Sequence, residues 1–156
     1  MDRALIDRYA AGADAPAQAM GGLTRAELHA APVANSWSIQ HILVHLMDSD
    51  LIGTDRMKRI IAEQNPLIIA FDESAFAQRL RYDKLDAQTA AEVFRLNRRL
   101  MVDILRDLAD EDFERPGIHS QNGRVTLGGL VRGYSDHLEH HLGILREKRR
   151  LLGKPL

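Results

Sequence analysis

The chain has 156 residues, 45% of them hydrophobic and 28% charged, a composition typical of one compact globular domain. Its 21 basic and 22 acidic residues give a net charge of −1, which offers no general attraction for nucleic acid or for an anionic membrane. The absence of cysteine excludes disulfides, thiolate metal sites and a cysteine nucleophile. Charges in the first ten residues interrupt any apolar leader, so we expect a cytoplasmic protein with a single domain over residues 1–156.

Helical periodicity dominates the chain and predicts an all-α protein with four longer helical segments. The first runs from about Asp2 to Met20, with a break near Asp14 and Pro16. The other three cover about 36–62, 86–109 and 126–152. Together they predict a four-helix bundle.

The segments between these helices carry capping and turn signals. Thr24, with Glu27 three residues later, predicts a capping box that starts a short helix. Residues 66–85 are expected to form a long crossover between the second and third helices, with a short helix after Asp72. Two turn signals, Pro-Gly and Asn-Gly, lie within 110–125 and leave room for a small hairpin.

Histidines are concentrated in the second and fourth predicted helices, in the stretches HILVH (41–45) and HLEHH (137–141). At about 100° per residue, His141 falls within roughly 30° of the centre of the apolar stripe, and His137 within roughly 70°. His140 lies roughly 130° away, near the solvent edge. In the second helix, His45 lies roughly 110° from the stripe and His41 roughly 150°. His45 is therefore the better partner for the inward pair.

His137 and His141 are one turn apart on the same helical face, so both can bind one ion. The alternative is a pair of hydrogen-bonded core histidines, and the spacing alone leaves both interpretations open. Other catalytic patterns have no support. Residue 138 is Leu, which excludes the HExxH motif of zinc proteases, and no GxSxG elbow occurs.

The stretches NSWSIQHILVHLMDSD and YSDHLEHHLGILREKRRLLGKP resemble the DinB-like superfamily, which includes the YfiT-type metal-dependent hydrolases. LTRAEL before Trp37 and NGRVTLGGLV before the last helix extend the resemblance over nearly the whole chain. It implies a four-helix bundle, often a homodimer, with a divalent metal held by three histidines. Matched position by position, these are His45, His137 and His141, the same residues that the helical wheel favours.

A three-histidine site with an open position is typical of catalytic rather than structural metal centres. Nitrogen ligands alone do not select the ion, so zinc, nickel, iron, copper and manganese all stay open. The resemblance implies an enzyme in which the metal activates a low-molecular-weight thiol for attack on an electrophile, or a hydrolase that activates water. The alternative is a non-catalytic, metal-stabilised, stress-associated binding dimer. We expect no nucleic-acid or membrane partner.

Two more residues are candidates for lining the metal cavity. Asn97 lies near the centre of the apolar stripe that we assign to the third helix, and Tyr134 lies one turn before His137. Each is expected either to line the cavity or to be an ordinary core residue. Asp48 and Asp136 are expected either to orient ligand imidazoles or to be solvated carboxylates. The third-helix stripe is marked by Val93, Leu100, Ile104 and Leu108.

Overall fold

The computed structural model of the chain describes residues 3–156, and the predicted start of the first helix at Asp2 lies outside them. In chain order, the elements are α1 (Arg3–Ala11), α2 (Ala15–Met20), α3 (Arg25–His29), α4 (Ile39–Ala62), β1 (Leu67–Ile68), α5 (Glu73–Arg79), α6 (Ala87–Arg106), a 3-10 helix (Asp110–Glu114), β2 (Pro116–His119), β3 (Gly123–Thr126) and α7 (Leu127–Leu151). The long helix α4 packs against both α6 and α7, and the shorter α1 and α2 pack against α6 and α7 as the fourth member of the bundle.

Side-chain caps fix where the helices begin. Thr24 and Glu27 form the predicted capping box at α3, with the Glu27 carboxylate accepting from the Thr24 N–H at 2.7 Å. Ser38 accepts the N–H of His41 at the start of α4, and Thr126 accepts that of Gly129 at the start of α7. These contacts satisfy amide groups that have no partner within the helix. They therefore set the register of the two helices that carry the histidine pairs.

The buried face of α6 differs from the predicted one. Leu100 is 66% exposed, whereas Phe94, Arg98, Met101 and Leu105 are buried. The stripe is rotated by about one residue because Arg98, which an apolar pattern leaves out, lies inside the bundle. A buried arginine needs a charged partner, and the carboxylate of Asp50 on α4 accepts from its Nε at 2.8 Å.

A small sheet accompanies the bundle. β2 and β3 form an antiparallel hairpin with Pro116 opposite Thr126, in the segment where the turn signals left room for one. β1 pairs in parallel with β2, which the sequence did not predict, and so attaches the segment between α4 and α6 to this hairpin. That segment, residues 63–86, also carries α5. Within residues 3–156, no helix is long and apolar enough to cross a membrane.

Candidate metal centre

Three imidazoles meet between α4 and α7. His45 comes from α4, and His137 and His141 come from successive turns of α7. One nitrogen from each ring can be chosen so that all three lie within 4.8 Å of one another. The Nε2 atoms of His45 and His137 are 3.1 Å apart. Two nitrogens bound to one ion at about 2.05 Å are separated by about 2.9–3.4 Å for bond angles near 90–110°, so this spacing fits a shared ion.

The three rings are held in their neutral form. Burial, and to a smaller extent the neighbouring histidines, lowers the pKa of each to about 4. Neutral imidazoles have the free lone pair that a metal requires, whereas protonated ones do not. The Nδ1 atoms of His45 and His141 are also buried without a hydrogen-bond partner. The Nδ1 of His141 is therefore available to an ion, whereas in His45 the nitrogen that faces His137 is Nε2.

His45 is fully buried, although the helical wheel placed it near the edge of the α4 stripe. The first turns of α4 are covered on a second side by α5 and the residues after it, where Val44 packs with Ala77 and Tyr82. Trp37 lies against the imidazole with its ring centre 5.0 Å away. The wheel assumed one buried face and could not include this second layer.

Among the described residues, the other histidines do not belong to this group of nitrogens, although the ring centre of His140 is 5.2 Å from that of His141. His140 and His29 are exposed, and the Nδ1 of His41 is 2.8 Å from the hydroxyl of Ser38. His119, at the end of β2, is nearly buried and lines a cavity beside His137. The exposure of His140 agrees with the wheel, which placed it on the solvent side.

A cavity of about 580 Å³ opens beside the triad, with His137 in its wall. Its polar lining includes Arg56, Glu73, His119 and Tyr134. The carboxylate of Glu73, in the first turn of α5, lies 4.0 Å from the Nε2 of His45. Sequence analysis missed the first three of these residues because the segment after α4 and the hairpin carry no pattern that predicts their approach to the bundle. The volume suits a small organic ligand.

The structure separates the two predicted cavity residues. Tyr134 lines the cavity, and its hydroxyl accepts from Nη1 of Arg56 at 2.8 Å. Asn97 does not line it, because its Nδ2 donates to the Asp50 carboxylate at 2.8 Å and its Oδ1 accepts from Thr54 at 3.1 Å. These contacts give Asn97 a structural role.

The two predicted orienting carboxylates contact other groups. Asp48 accepts from the hydroxyl of Tyr82 at 2.6 Å, and Asp136 pairs with Arg8 at 2.6 Å on the surface. Neither is bonded to an imidazole of the triad. Asp136 is a solvated carboxylate, as one of the two interpretations held, whereas Asp48 stabilises the layer that covers His45.

The family model of the DinB superfamily matches residues 9–145 of the chain. The chain belongs to the DinB superfamily. It is 29% identical over 109 residues to an Oceanobacillus iheyensis protein named "Putative metal-dependent hydrolase", a match that covers 70% of this chain and 63% of that relative. The chain thus spans somewhat less than two thirds of this relative's length.

Two solved structures share the fold. YfiT from Bacillus subtilis, described as "a probable metal-dependent hydrolase with an unusual four-helix bundle topology", superposes with a TM-score of 0.90 at 23% identity, covering 97% of this chain and 87% of YfiT. A DinB-like protein from Bacillus subtilis superposes with a TM-score of 0.68 at 17% identity, and the match covers 96% of this chain and 91% of the Bacillus subtilis protein. These likenesses confirm the predicted four-helix bundle of the DinB type.

Proposed function

We propose that this DinB-superfamily protein is a metal-dependent hydrolase in which His45, His137 and His141 hold one divalent ion. The convergence of three neutral imidazoles within 4.8 Å, at the edge of a cavity, is the observation that carries the proposal. The hydrolase names of its relatives agree with it. A divalent ion bound there would act as a Lewis acid and would lower the pKa of a water or thiol beside it.

Glu73 is the residue best placed to move a proton. Its Oε2 lies 4.0 Å from the Nε2 of His45, and half of its side chain is exposed to solvent at the cavity. A carboxylate in this position can accept a proton from a water at the triad and return it to a leaving group. Among the described residues, Glu73 is the one carboxylate in the cavity lining.

The cavity also supports a second candidate, transfer of a low-molecular-weight thiol to an electrophile. Its volume of about 580 Å³ exceeds what a water nucleophile requires and can hold a thiol together with part of its acceptor. A chain without cysteine must take a sulfur nucleophile from outside. With a chloro-dinitrobenzene acceptor, a carbon–sulfur bond would form while the carbon–chlorine bond breaks, releasing chloride and the thiol proton.

The test compares both reactions in protein loaded with zinc, cobalt, nickel or manganese. We expect metal-dependent hydrolysis of activated esters, and a loss of about 10²–10⁴-fold in kcat for Glu73→Gln with metal affinity retained. Glu63→Gln, exposed at the end of α4, is the matched control. Turnover only with thiols and chloro-dinitrobenzene, and insensitive to Glu73→Gln, would favour the thiol transferase.

Metal binding without turnover in either assay would overturn both enzymatic candidates and leave a metal-stabilised binding protein. The homodimer implied by the resemblance is part of the proposal. Sedimentation of the metal-loaded and metal-free protein tests it, because a dimer that depends on the ion dissociates when the ion is removed.

A further inference from the structure

The cavity beside the triad holds a group of hydrogen-bond donors that the proposed reaction does not use. Arg56, on α4, donates to two neutral acceptors, the hydroxyl of Tyr134 at 2.8 Å and the carbonyl of Ile69 at 2.6 Å. Its Nε is buried without an acceptor. Within residues 3–156, no carboxylate lies within ion-pair distance of this guanidinium. A partly buried cation with neutral partners is costly, which indicates that its charge has a further use.

His119 adds a second donor to the same wall. Its Nδ1 accepts the N–H groups of Gln121 and Asn122, each at 3.3 Å, so the proton of the neutral ring is on Nε2. Burial, and then the positive charge of Arg56, lower the pKa of His119, which keeps this tautomer neutral near pH 7. The Nε2–H is thereby left free for a ligand in the cavity.

Tyr134 is the third donor, and it connects the first two to the triad. Its oxygen accepts from Arg56, which leaves its own O–H to donate. Its ring centre lies 6.4 Å from that of His137. Arg124 adds a second positive charge to the lining, whose described residues include one carboxylate, that of Glu73. One side of the cavity is therefore positively charged and rich in donors, and it adjoins the triad.

We propose that Arg56, His119 and Tyr134 form an oxyanion clamp, and that the substrate is a small molecule whose carboxylate or other oxyanion binds there while its reacting group reaches the triad. Charged guanidinium groups bind such oxygens through short, strong hydrogen bonds. This inference rests on the proposed function because it assigns the substrate class of the same site. Metal binding at the triad and oxyanion binding at the clamp can nevertheless be measured separately.

The first experiment uses cobalt-loaded protein and a matched pair of thiols, 3-mercaptopropionate and 3-mercapto-1-propanol. They differ only in a carboxylate in place of a hydroxymethyl group, and thiolate coordination to cobalt gives a charge-transfer band that reports binding without turnover. We expect the carboxylate to bind about 10- to 100-fold more tightly, as one charge-assisted contact predicts. 2-Mercaptoethanesulfonate, tested in parallel, distinguishes a planar from a tetrahedral oxyanion.

Variants assign the preference to the clamp. Arg56→Gln should abolish the preference for the carboxylate thiol while leaving the affinity for the neutral thiol unchanged. Tyr134→Phe, which keeps the ring, should reduce this preference by about 3- to 10-fold. Arg59→Gln is the control, because Arg59 lies on the same helix but pairs with Asp55 and Glu63 on the surface. Equal affinities for the two thiols in the wild type, or a preference that survives both cavity variants, would overturn the clamp.

The second experiment uses metal-free protein, so that failure of the metal site does not hide the clamp. Titration with propionate should shift the imidazole NMR signals of His119 in the wild type and in Arg59→Gln, but not in Arg56→Gln. If cobalt does not bind and these shifts occur, the proposed function is wrong and the clamp stands. If the shifts are absent and the two thiols bind with equal affinity, the clamp is overturned while the proposed metal-dependent function is not.

Discussion

The buried pair of Asp50 and Arg98 connects four helices of the bundle, α1, α4, α6 and α7, and removing one partner should cost much of the protein's stability. The guanidinium donates to Asp50, to the carbonyl of Tyr9 at 3.3 Å and to that of Tyr134 at 3.0 Å. Both charged side chains are only 2% exposed. Loss of one partner leaves the other charge buried and unpaired, which typically costs about 3–5 kcal/mol. A domain of this size has a total stability of about 5–15 kcal/mol.

Urea unfolding of Asp50→Ala, Arg98→Met and the double variant measures this cost. Methionine keeps an unbranched aliphatic side chain but removes the guanidinium, and with it the cation–π contacts of Cζ with the rings of Tyr9 and Phe94. We expect each single variant to lower the free energy of unfolding by about 3–5 kcal/mol. The loss in the double variant should be smaller than the sum of the two single losses by at least about 2 kcal/mol. Single losses below about 1 kcal/mol, or additive losses, would refute an ion pair that is costly to break.

Three further predictions concern the site. Metal-free protein should lose stability as the pH falls from 6.5 to about 4, because the unfolded chain takes up protons on His45, His137 and His141 that the folded chain resists. The slope should be at most about 4 kcal/mol per pH unit, less after solvent screening, and a flat urea-unfolding series would contradict it. Gly53→Ala should lower the free energy of unfolding by about 0–2 kcal/mol, measured by calorimetry, because a Cβ at this position would lie 2.5 Å from Cζ of Tyr134. The overpacking outweighs the gain in helix propensity, and the displaced ring should alter the near-ultraviolet dichroism of tyrosine. Gly143→Ala, whose Cβ meets nothing within 4 Å, should instead be stabilising by about 0.5–1 kcal/mol. Binding of paramagnetic cobalt or copper should quench the fluorescence of Trp37, the chain's one tryptophan, whose ring centre is 5.0 Å from that of His45, and an unchanged signal with bound metal would place the ion elsewhere.

The inward pair of α7 was predictable because local periodicity determines it. His137 and His141 are one turn apart beside the apolar stripe of α7, and the bundle buries that stripe. The histidine of α4 was harder to place, because its burial depends on α5 and Tyr82 in a segment without strong periodicity. The wheel preferred His45 to His41 but left it near the edge of the apolar stripe, and the resemblance to relatives selected the same residue.

Charged residues inside the bundle limited the rest of the prediction. Asp50 lies one turn after Leu46 on the buried side of α4, yet an apolar pattern passes over both it and Arg98. The assigned face of α6 was rotated for that reason. For Asn97 the pattern left a cavity role and a core role open, and its contact with Asp50 supports the core role. Arg56 and Glu73 reach the site only through tertiary packing, which no spacing along the chain predicts.

The central claim is that one divalent ion binds to His45, His137 and His141. Calorimetric titration of metal-free protein with zinc tests it most directly, using His141→Ala and, as a matched neighbour, the exposed His140→Ala. We predict one equivalent bound to the wild type and to His140→Ala, and an affinity at least about 100-fold lower for His141→Ala, since a ligand rather than a supporting residue is lost. Absence of binding to the wild type, or equal effects of the two variants, would contradict the claim.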